Sequence, residues 1–532
     1  MISAQAGLAR LISGGARTGR AGAFGGFGTR WALLLGVAGG LAVFASFPPV
    51  DAWPLAAAGP ALLVVALTGR SLRGSFGCGL VFGLALFVPL LSWLINVAWY
   101  AWAALAGSEA VIFALLCVGL RLLLDLPFWP AAVAAWWVAA EALRDRWPFA
   151  FPWGRLAMSQ SVAPDVRWVA VGGVPLLTFL VALTGAMLAR TALTWLGSRD
   201  WRSRGLAGAG VAAVVTAGLV LAGGLLPVDP AGGAPTVPVA AIQGDIPHAR
   251  NLPQLLNDSA VTQNQAADTL KLAAEVKAGR LPAPDLVIWP EDAVGLDPRE
   301  YPFVYAEIAG AMGAVGRPIL VGEVLNHPRR NVGQLWVPGA GPTTFYVKRQ
   351  LVPFGEYIPF RGLISSFSSL PSLQPVDFTA GHQAVVFDVG KIRLGDVICY
   401  EVGFDDLVRS EVTAGANLLA VQSNDADFEI DGQLGETEQQ TAMARIRAIE
   451  SDRAVVYAST TGESTIIGPD GAVIEHSGVW HQAILDAPVP LVSYRTLADR
   501  IGSWPEYVLV LLTVLALGWG VMLRRRTRHA NR

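Results

Sequence analysis

Charge is scarce in this chain. Of its 532 residues, 15% are charged and 53% are hydrophobic. Soluble domains run near 25% charged, so an ordinary soluble protein is excluded for much of the length. Residues 31–143 are almost charge-free, while residues 236–490 have soluble composition. The net charge of -2 offers no electrostatic footprint for nucleic acid. Lysine is scarcer still: Lys271, Lys277, Lys348 and Lys391 are the whole set, and every other basic side chain is arginine. There are three cysteines. Cys78 and Cys117 sit in apolar runs and read as small buried hydrophobes. Cys399 stands alone in the soluble-like part, with no disulfide partner there, and marks a candidate reactive thiol. His248, His327, His382, His476 and His481 show no ligand spacing, so no metal site is expected.

What the chain does have is long apolar runs. About 20 apolar residues span a bilayer as helix. Runs near 31–47, 54–69, 75–97, 103–124, 129–143, 168–194, 206–226 and 505–523 predict a polytopic bundle of about eight spans. Arginine placement orients it. The start carries Arg10, Arg17, Arg20 and Arg30, and the tail Arg524, Arg525, Arg526 and Arg528. Both ends are therefore expected inside, with the loops holding Arg70 and Arg73 and Arg199 to Arg204. The segment after the seventh span then falls outside. Arg144, Arg146, Arg155 and Arg167 dissent, falling outside on this count. Few ionisable residues enter the spans, Arg121 and Glu141 lying near ends, which argues against a solute path.

The expected organisation is a cytoplasmic segment 1–30, a transmembrane part 31–226, a Pro/Gly linker 227–236, an extracytoplasmic domain 237–490, a linker 491–504, a last span 505–523 and a basic tail 524–532. In the outer domain the pattern changes to alternating strands and helices, predicting an α/β fold. Strands are predicted at 237–243, 285–289, 318–322, 343–348, 393–398, 417–422, 454–458 and 464–468. Helices are predicted at 255–278, 299–315, 403–414 and 434–452.

Three predicted strand ends present a reactive group. Val-Ile-Trp-Pro-Glu places Glu291 just past one strand, where an apolar setting raises a carboxyl toward general-base range. Alone, it reads equally as a helix cap or a solvated turn. Tyr-Val-Lys-Arg-Gln-Leu-Val-Pro-Phe-Gly-Glu holds Lys348 and Glu356. A lysine beside Arg349 in so arginine-biased a chain suggests a need for a compact ammonium, though an ordinary surface lysine fits the same residues. Leu-Gly-Asp-Val-Ile-Cys-Tyr-Glu closes a strand on Cys399, with a helix expected near 403. Helix N–H groups aimed at the sulfur would favour thiolate. The bland alternative is a buried, inert cysteine.

Together, Glu…Lys…Cys at successive strand ends of an α/β domain resembles the nitrilase superfamily. Within it the chain resembles the apolipoprotein N-acyltransferases of bacterial lipoprotein maturation. The likeness covers nearly the whole chain: the multi-span first part, Phe-Pro-Trp-Gly at 151–154, Ala-Ile-Gln-Gly-Asp-Ile-Pro at 241–247, Trp-Pro-Glu, Leu-Val-Pro-Phe-Gly-Glu at 351–356, Ile-Cys-Tyr-Glu at 398–401 and one last span. The resemblance implies an αββα sandwich, Glu291 as general base, Lys348 as oxyanion stabiliser and Cys399 as nucleophile. Glu356, Tyr400 and Glu401 match further positions that matter in the family. Two departures stand out: 424–429 reads Asn-Asp-Ala-Asp-Phe-Glu, with Asp427 in place of a tryptophan, and Ala249-Arg250-Asn251-Leu252 lacks the usual nearby Trp.

The implied reaction moves an acyl chain from a membrane phospholipid to Cys399, and from that thioester to the α-amino group of a diacylglyceryl-cysteine apolipoprotein. It implies a bacterial inner-membrane location and no cofactor. Rival readings are a membrane-anchored amidase and a non-catalytic scaffold or transporter. Residues 357–373 are long and apolar for a loop, and either pack on the domain core or form a lid at the bilayer. Phe360, Leu363, Ile364, Phe367 and Leu370 would supply the lid's apolar face.

Overall fold

The computed structural model describes residues 26–197, 218, 222–226, 233–246, 254–366, 375–426, 428 and 435–530. Contacts divide the chain into two compact units, Met1–Leu226 with Ser503–Arg532, and Pro227–Gly502.

The first unit is helical. Its elements are α1 (Thr29–Phe44), α2 (Leu55–Leu67), α3 (Leu72–Leu90), α4 (Trp99–Leu123), α5 (Trp129–Arg144), α6 (Val169–Gly197) and the last helix, Trp504–Ala530. Four described stretches are long and apolar enough to cross a membrane: Leu72–Leu90, Trp99–Leu123, Val166–Gly197 and Trp504–Arg526. Of the expected eight or so spans, these four meet that length among the described residues. The predicted spans at 31–47, 54–69 and 129–143 form helices of 16, 13 and 16 residues. At 1.5 Å per residue these reach roughly 20–24 Å, short of a hydrocarbon core of about 30 Å. Nearly all of 206–226 lies outside the described residues. Within α6, Gly172 and Gly173 leave helical geometry, and Gly173 takes φ 71°, a conformation suited to glycine.

The bundle is less free of charge than its sequence suggests. Glu109, in the middle of α4, is buried and bonded to Arg144 of α5. Arg144 also donates to the Trp153 carbonyl at 2.7 Å. Arg155 lies 3.3 Å from Asp145 and 3.9 Å from Glu141. Arg146 pairs with Glu506 at 2.6 Å. The dissenting arginines of the topology count are thus mostly neutralised by internal carboxylates.

The second unit is built on two six-stranded sheets. One runs β12-β1-β2-β3-β4-β5, the other β11-β10-β9-β8-β7-β6. The strands are β1 (Thr236–Gln243), β2 (Leu286–Ile288), β3 (Ile319–Leu325), β4 (Arg330–Val337), β5 (Gly341–Val347), β6 (Val386–Val389), β7 (Ile392–Ile398), β8 (Leu418–Ser423), β9 (Val455–Ser459), β10 (Thr465–Ile467), β11 (Val473–His476) and β12 (Ala483–Pro490). Successive side chains of a strand face opposite ways. Val237, Val239 and Ala241 of β1 therefore enter a core shared with Ile392, Leu394 and Ile398 of β7 and Val456 of β9. The alternate residues Ala240 and Ile242 pack the other way, with Leu272, Val304 and Ile308 of α7 (Gln254–Lys277) and α8 (Pro302–Val315). Helices α10 (Asp405–Ala414) and α11 (Glu436–Ser451) bury residues of their own in the same unit, after the short α9 (Arg361–Ile364). The layering is an αββα sandwich.

All eight predicted strands and all four predicted helices of this unit appear, shifted by at most a few residues. Four strands went unpredicted: β4, β6, β11 and β12. β12 contains Pro488 and Pro490, residues that block a central strand; as the sheet edge beside β1 it tolerates them.

Candidate active site

The three candidate reactive residues come from strands of both sheets. Glu291 follows β2 through Trp289 and Pro290, Lys348 follows β5, and Cys399 follows β7. Trp289 is fully buried and donates its indole N–H to Thr269 at 2.9 Å, fixing the approach to Glu291.

Lys348, 1% exposed, donates from Nζ to Glu291 Oε1 at 2.9 Å and to Glu356 Oε1 at 3.0 Å. Asn331 bridges the same two carboxylates at 2.6 and 3.0 Å. The Asn424 N–H reaches the other Glu291 oxygen at 3.0 Å, and the Val352 N–H the other Glu356 oxygen at 2.8 Å. Burial raises the Glu291 carboxyl, the Lys348 ammonium pulls it down, and Asp292 and Glu356 push it up again, leaving it at about 7. Burial alone would lower Lys348; its two carboxylate partners outweigh that and hold it firmly protonated.

Cys399 departs from expectation. The helix expected near 403 starts two residues later. A 3₁₀ turn spans Cys399–Gly403, and α10 starts at Asp405. Cys399 itself takes φ 51°, the left-handed region that a non-glycine residue enters at a cost of about 1–2 kcal/mol. Burial pushes its thiol well above the usual range, and Glu291 adds to that more than Lys348 subtracts. Desolvation thus outweighs the favourable charge nearby and works against the expected thiolate. Gln440 of α11 approaches the sulfur with its amide nitrogen at 3.7 Å.

Glu401 sets the spacing between the lysine and cysteine segments. Its unexposed carboxylate accepts from the N–H groups of Arg349 at 2.6 Å, Gln350 at 3.0 Å and Ile398 at 2.8 Å, and from the Tyr346 hydroxyl at 2.8 Å. One carboxylate thus ties the exit of β5 to the exit of β7. Glu356 sits in the Lys348 cluster. Tyr400 is buried, its ring edge-on to Phe404 at 5.3 Å.

The candidate lid is only partly described. Phe360 is 72% exposed and Ile364 half-buried. Arg361 pairs with Asp377, and the Ile358 N–H donates to Asp377 at 3.2 Å. Phe367, Leu370 and the Leu363 side chain lie outside the described residues, as does Asp427. Asn331, Asn424 and Gln440 are site residues that sequence reasoning missed as such. Asn424 had a signal in the Asn-Asp-Ala segment. Asn331 and Gln440 had none, each being a single amide in an ordinary strand or helix.

Residues 39–187 match the family model of the apolipoprotein N-acyltransferase N-terminal domain, and residues 330–499 that of carbon-nitrogen hydrolase. The chain is 36% identical to an apolipoprotein N-acyltransferase of Mycolicibacterium smegmatis over 527 residues, covering 93% of this chain and 87% of that one. It is 31% identical to an apolipoprotein N-acyltransferase of Azotobacter vinelandii, covering 93% and 96%. Among solved structures, an amidase from Nesterenkonia sp. matches with a TM-score of 0.35 and 19% identity, over 50% of this chain and 92% of its own. Given the near full-length likeness to those acyltransferases, the chain belongs to the apolipoprotein N-acyltransferase family.

Proposed function

We propose that the protein transfers an acyl chain from a membrane phospholipid to the N-terminal amino group of a diacylglyceryl-cysteine apolipoprotein, through a thioester on Cys399. The observation that carries this is the buried Glu291–Lys348 pair gathered with the Cys399 thiol at three strand ends. Glu291 takes the Sγ proton as the sulfur attacks the ester carbonyl. Lys348 offsets the negative charge that develops on the carbonyl oxygen. The C–O bond then breaks, Glu291 returns the proton to the departing lysophospholipid, and the thioester remains. In the second half the α-amine attacks the thioester, Glu291 takes its proton, and the C–S bond breaks to restore the thiol. Asn331 and Glu356 position the Glu291–Lys348 pair. Trapping a labelled acyl group on Cys399 from labelled phospholipid, and releasing it with a diacylglyceryl-cysteine peptide, tests the scheme. A label that never becomes protein-bound contradicts it.

The pH dependence follows from Glu291. Its base form is lost as pH falls through about 7. The rate constant for acylation is expected to drop about tenfold per pH unit below that point. Glu356 helps hold the Glu291 carboxyl up, so Glu356→Gln shifts the acid limb to lower pH. An unmoved or upward-shifted limb contradicts this coupling.

For the membrane part, the proposal keeps eight crossings: the four long helices, the three shorter ones and 206–226. Both termini are cytoplasmic and the 237–490 domain extracytoplasmic, in the bacterial inner membrane. Internal pairing of Arg144, Arg146 and Arg155 supports this orientation, since neutralised arginines no longer weigh as free loop charges. Arg280, with a 63% exposed side chain, is a suitable position to replace by cysteine. It is expected to react with a membrane-impermeant maleimide in intact spheroplasts; labelling only after lysis reverses the orientation. Within the domain, 357–373 acts as the lid, and replacing Phe360, Leu363 and Phe367 together by serine slows transfer and raises thioester hydrolysis while the domain stays folded. An unfolded variant would make the segment core.

A further inference from the structure

A second buried acid lies between the sheets, and the reaction scheme makes no use of it. Asp396 is on β7, three residues before Cys399, and is fully buried. Asp396 pairs in register with Ala420 of β8, so Gln422, two residues on, is its diagonal neighbour on the same sheet face. Gln422 is also fully buried. Both side chains point at Gly333 of β4 in the facing sheet. A Cβ built on Gly333 would lie 1.9 Å from Asp396 Oδ2 and 2.7 Å from Gln422 Oε1. The two oxygens converge on one spot that only a side-chain-free residue leaves open.

The orientation of Gln422 is settled by its other end. Its Nε2 donates to the Trp289 carbonyl at 2.5 Å, so Oε1 must be the atom facing Asp396. Gln422 Oε1 has no hydrogen-bond partner among the described residues, and the Asp396 carboxyl has none there beyond the adjoining Val397 N–H. Acceptors facing each other in a dry interior repel, and unmatched buried polar atoms are costly. One proton removes the conflict.

We propose that Asp396 is a neutral carboxylic acid whose O–H donates to Gln422 Oε1, and that the resulting chain Asp396–Gln422–Trp289 positions Glu291 against Cys399. The chain starts on the cysteine strand, crosses β8 and ends on the carbonyl two residues before Glu291. It therefore links nucleophile and base strands in two different sheets. The groups around it agree. Burial raises the Asp396 carboxyl well above its usual range, Glu401 and Glu411 raise it further, the adjoining Val397 N–H pulls the other way, and Glu291 adds a smaller push upward. The positioning role rests on Glu291 being the base; the protonation state of Asp396 does not.

Infrared difference spectra of the full-length protein with ¹³C-labelled aspartate, taken at pH 8, test the first claim. The wild type is expected to show a protonated-carboxyl stretch that Asp396→Asn lacks. No such band means an ionised Asp396 and overturns the proposal. Acylation kinetics test the second claim. In Asp396→Asn the amide N–H replaces the acid as donor, so the rate and its acid limb stay near wild type. Asp396→Leu and Gln422→Leu each lower the acylation rate roughly tenfold or more through misplacement of the base, with KM for phospholipid unchanged and the acid limb moved. The double variant loses no more than either single. Wild-type rates and pH profiles in both leucine variants overturn the positioning role; if Asp396→Leu does not fold, Gln422→Leu carries the same test. Full activity in Glu291→Gln removes the base assignment itself and leaves the infrared band in place, so the two failures are told apart.

Discussion

Replacing Cys399 by alanine or by serine is expected to abolish acyl transfer, by on the order of 10⁴-fold or more. Alanine removes the atom that carries the acyl group. Serine keeps a hydroxyl in the same place, but a hydroxyl gives up its proton far less readily than a thiol. The base beside it is a carboxylate near 7, tied to a lysine and an asparagine, and no described histidine stands in its hydrogen-bond set. Burial already makes the sulfur reluctant to ionise, so an oxygen there has no route to a useful nucleophile. Neither variant alters the backbone demand of the left-handed turn, and both are small enough for the site, so both should fold and retain the two-sheet core. Circular dichroism of the purified variants, beside single-turnover acylation with labelled phospholipid, separates lost chemistry from lost structure. Transfer in Cys399→Ala at the wild-type rate would end the thioester mechanism.

Lys348 is the second position where a single change should be severe. Lys348→Arg keeps the charge, yet turnover is expected to fall by at least about 10²-fold, the scale of losing one oxyanion donor. The ammonium is a compact charge with three donors, two of them engaged by Glu291 and Glu356 within 3.0 Å. A planar guanidinium is wider, and at 1% exposure it cannot swing out into solvent. Lys348→Met should do more harm to the fold. It leaves two carboxylates on either side of Asn331 without their cation, and removing one partner from a buried ionic cluster costs about 3–5 kcal/mol. Thermal unfolding of the three forms should rank wild type, then Arg, then Met. Near-normal turnover in Lys348→Arg would make this lysine structural.

Much of the second unit was legible because strand and helix periods differ and the chain keeps to them. Val237, Val239 and Ala241 on one face and Ala240 and Ile242 on the other describe a strand buried on both sides. β4 was invisible because Asn331, Gly333 and Gln334 break the apolar run that marks a strand. Their presence has a spatial cause: Asn331 serves the Glu291 cluster and Gly333 makes room for Asp396 and Gln422. The three candidate reactive residues could be named from three short motifs, but their electrostatics could not. Thiolate was expected because only nearby positive charge and helix ends can be read along the chain. Burial, which decides the matter, depends on residues far away in sequence. The same holds in the bundle, where Glu109 went unnoticed as an ionisable residue until its partner 35 positions away was visible.

The division of the site between two sheets has an operational meaning. Glu291 and Lys348 hang from one sheet and Cys399 from the other, so the distance between the proposed base and the proposed nucleophile is a measure of how the sheets lie on each other. Hydrogen bonding within either sheet is blind to that distance. Catalysis is not: a slip of about 1 Å between layers can cost on the order of 10²-fold in rate. Turnover therefore works as a gauge of interlayer registry, able to record a loosening of the shared core while every strand is still paired.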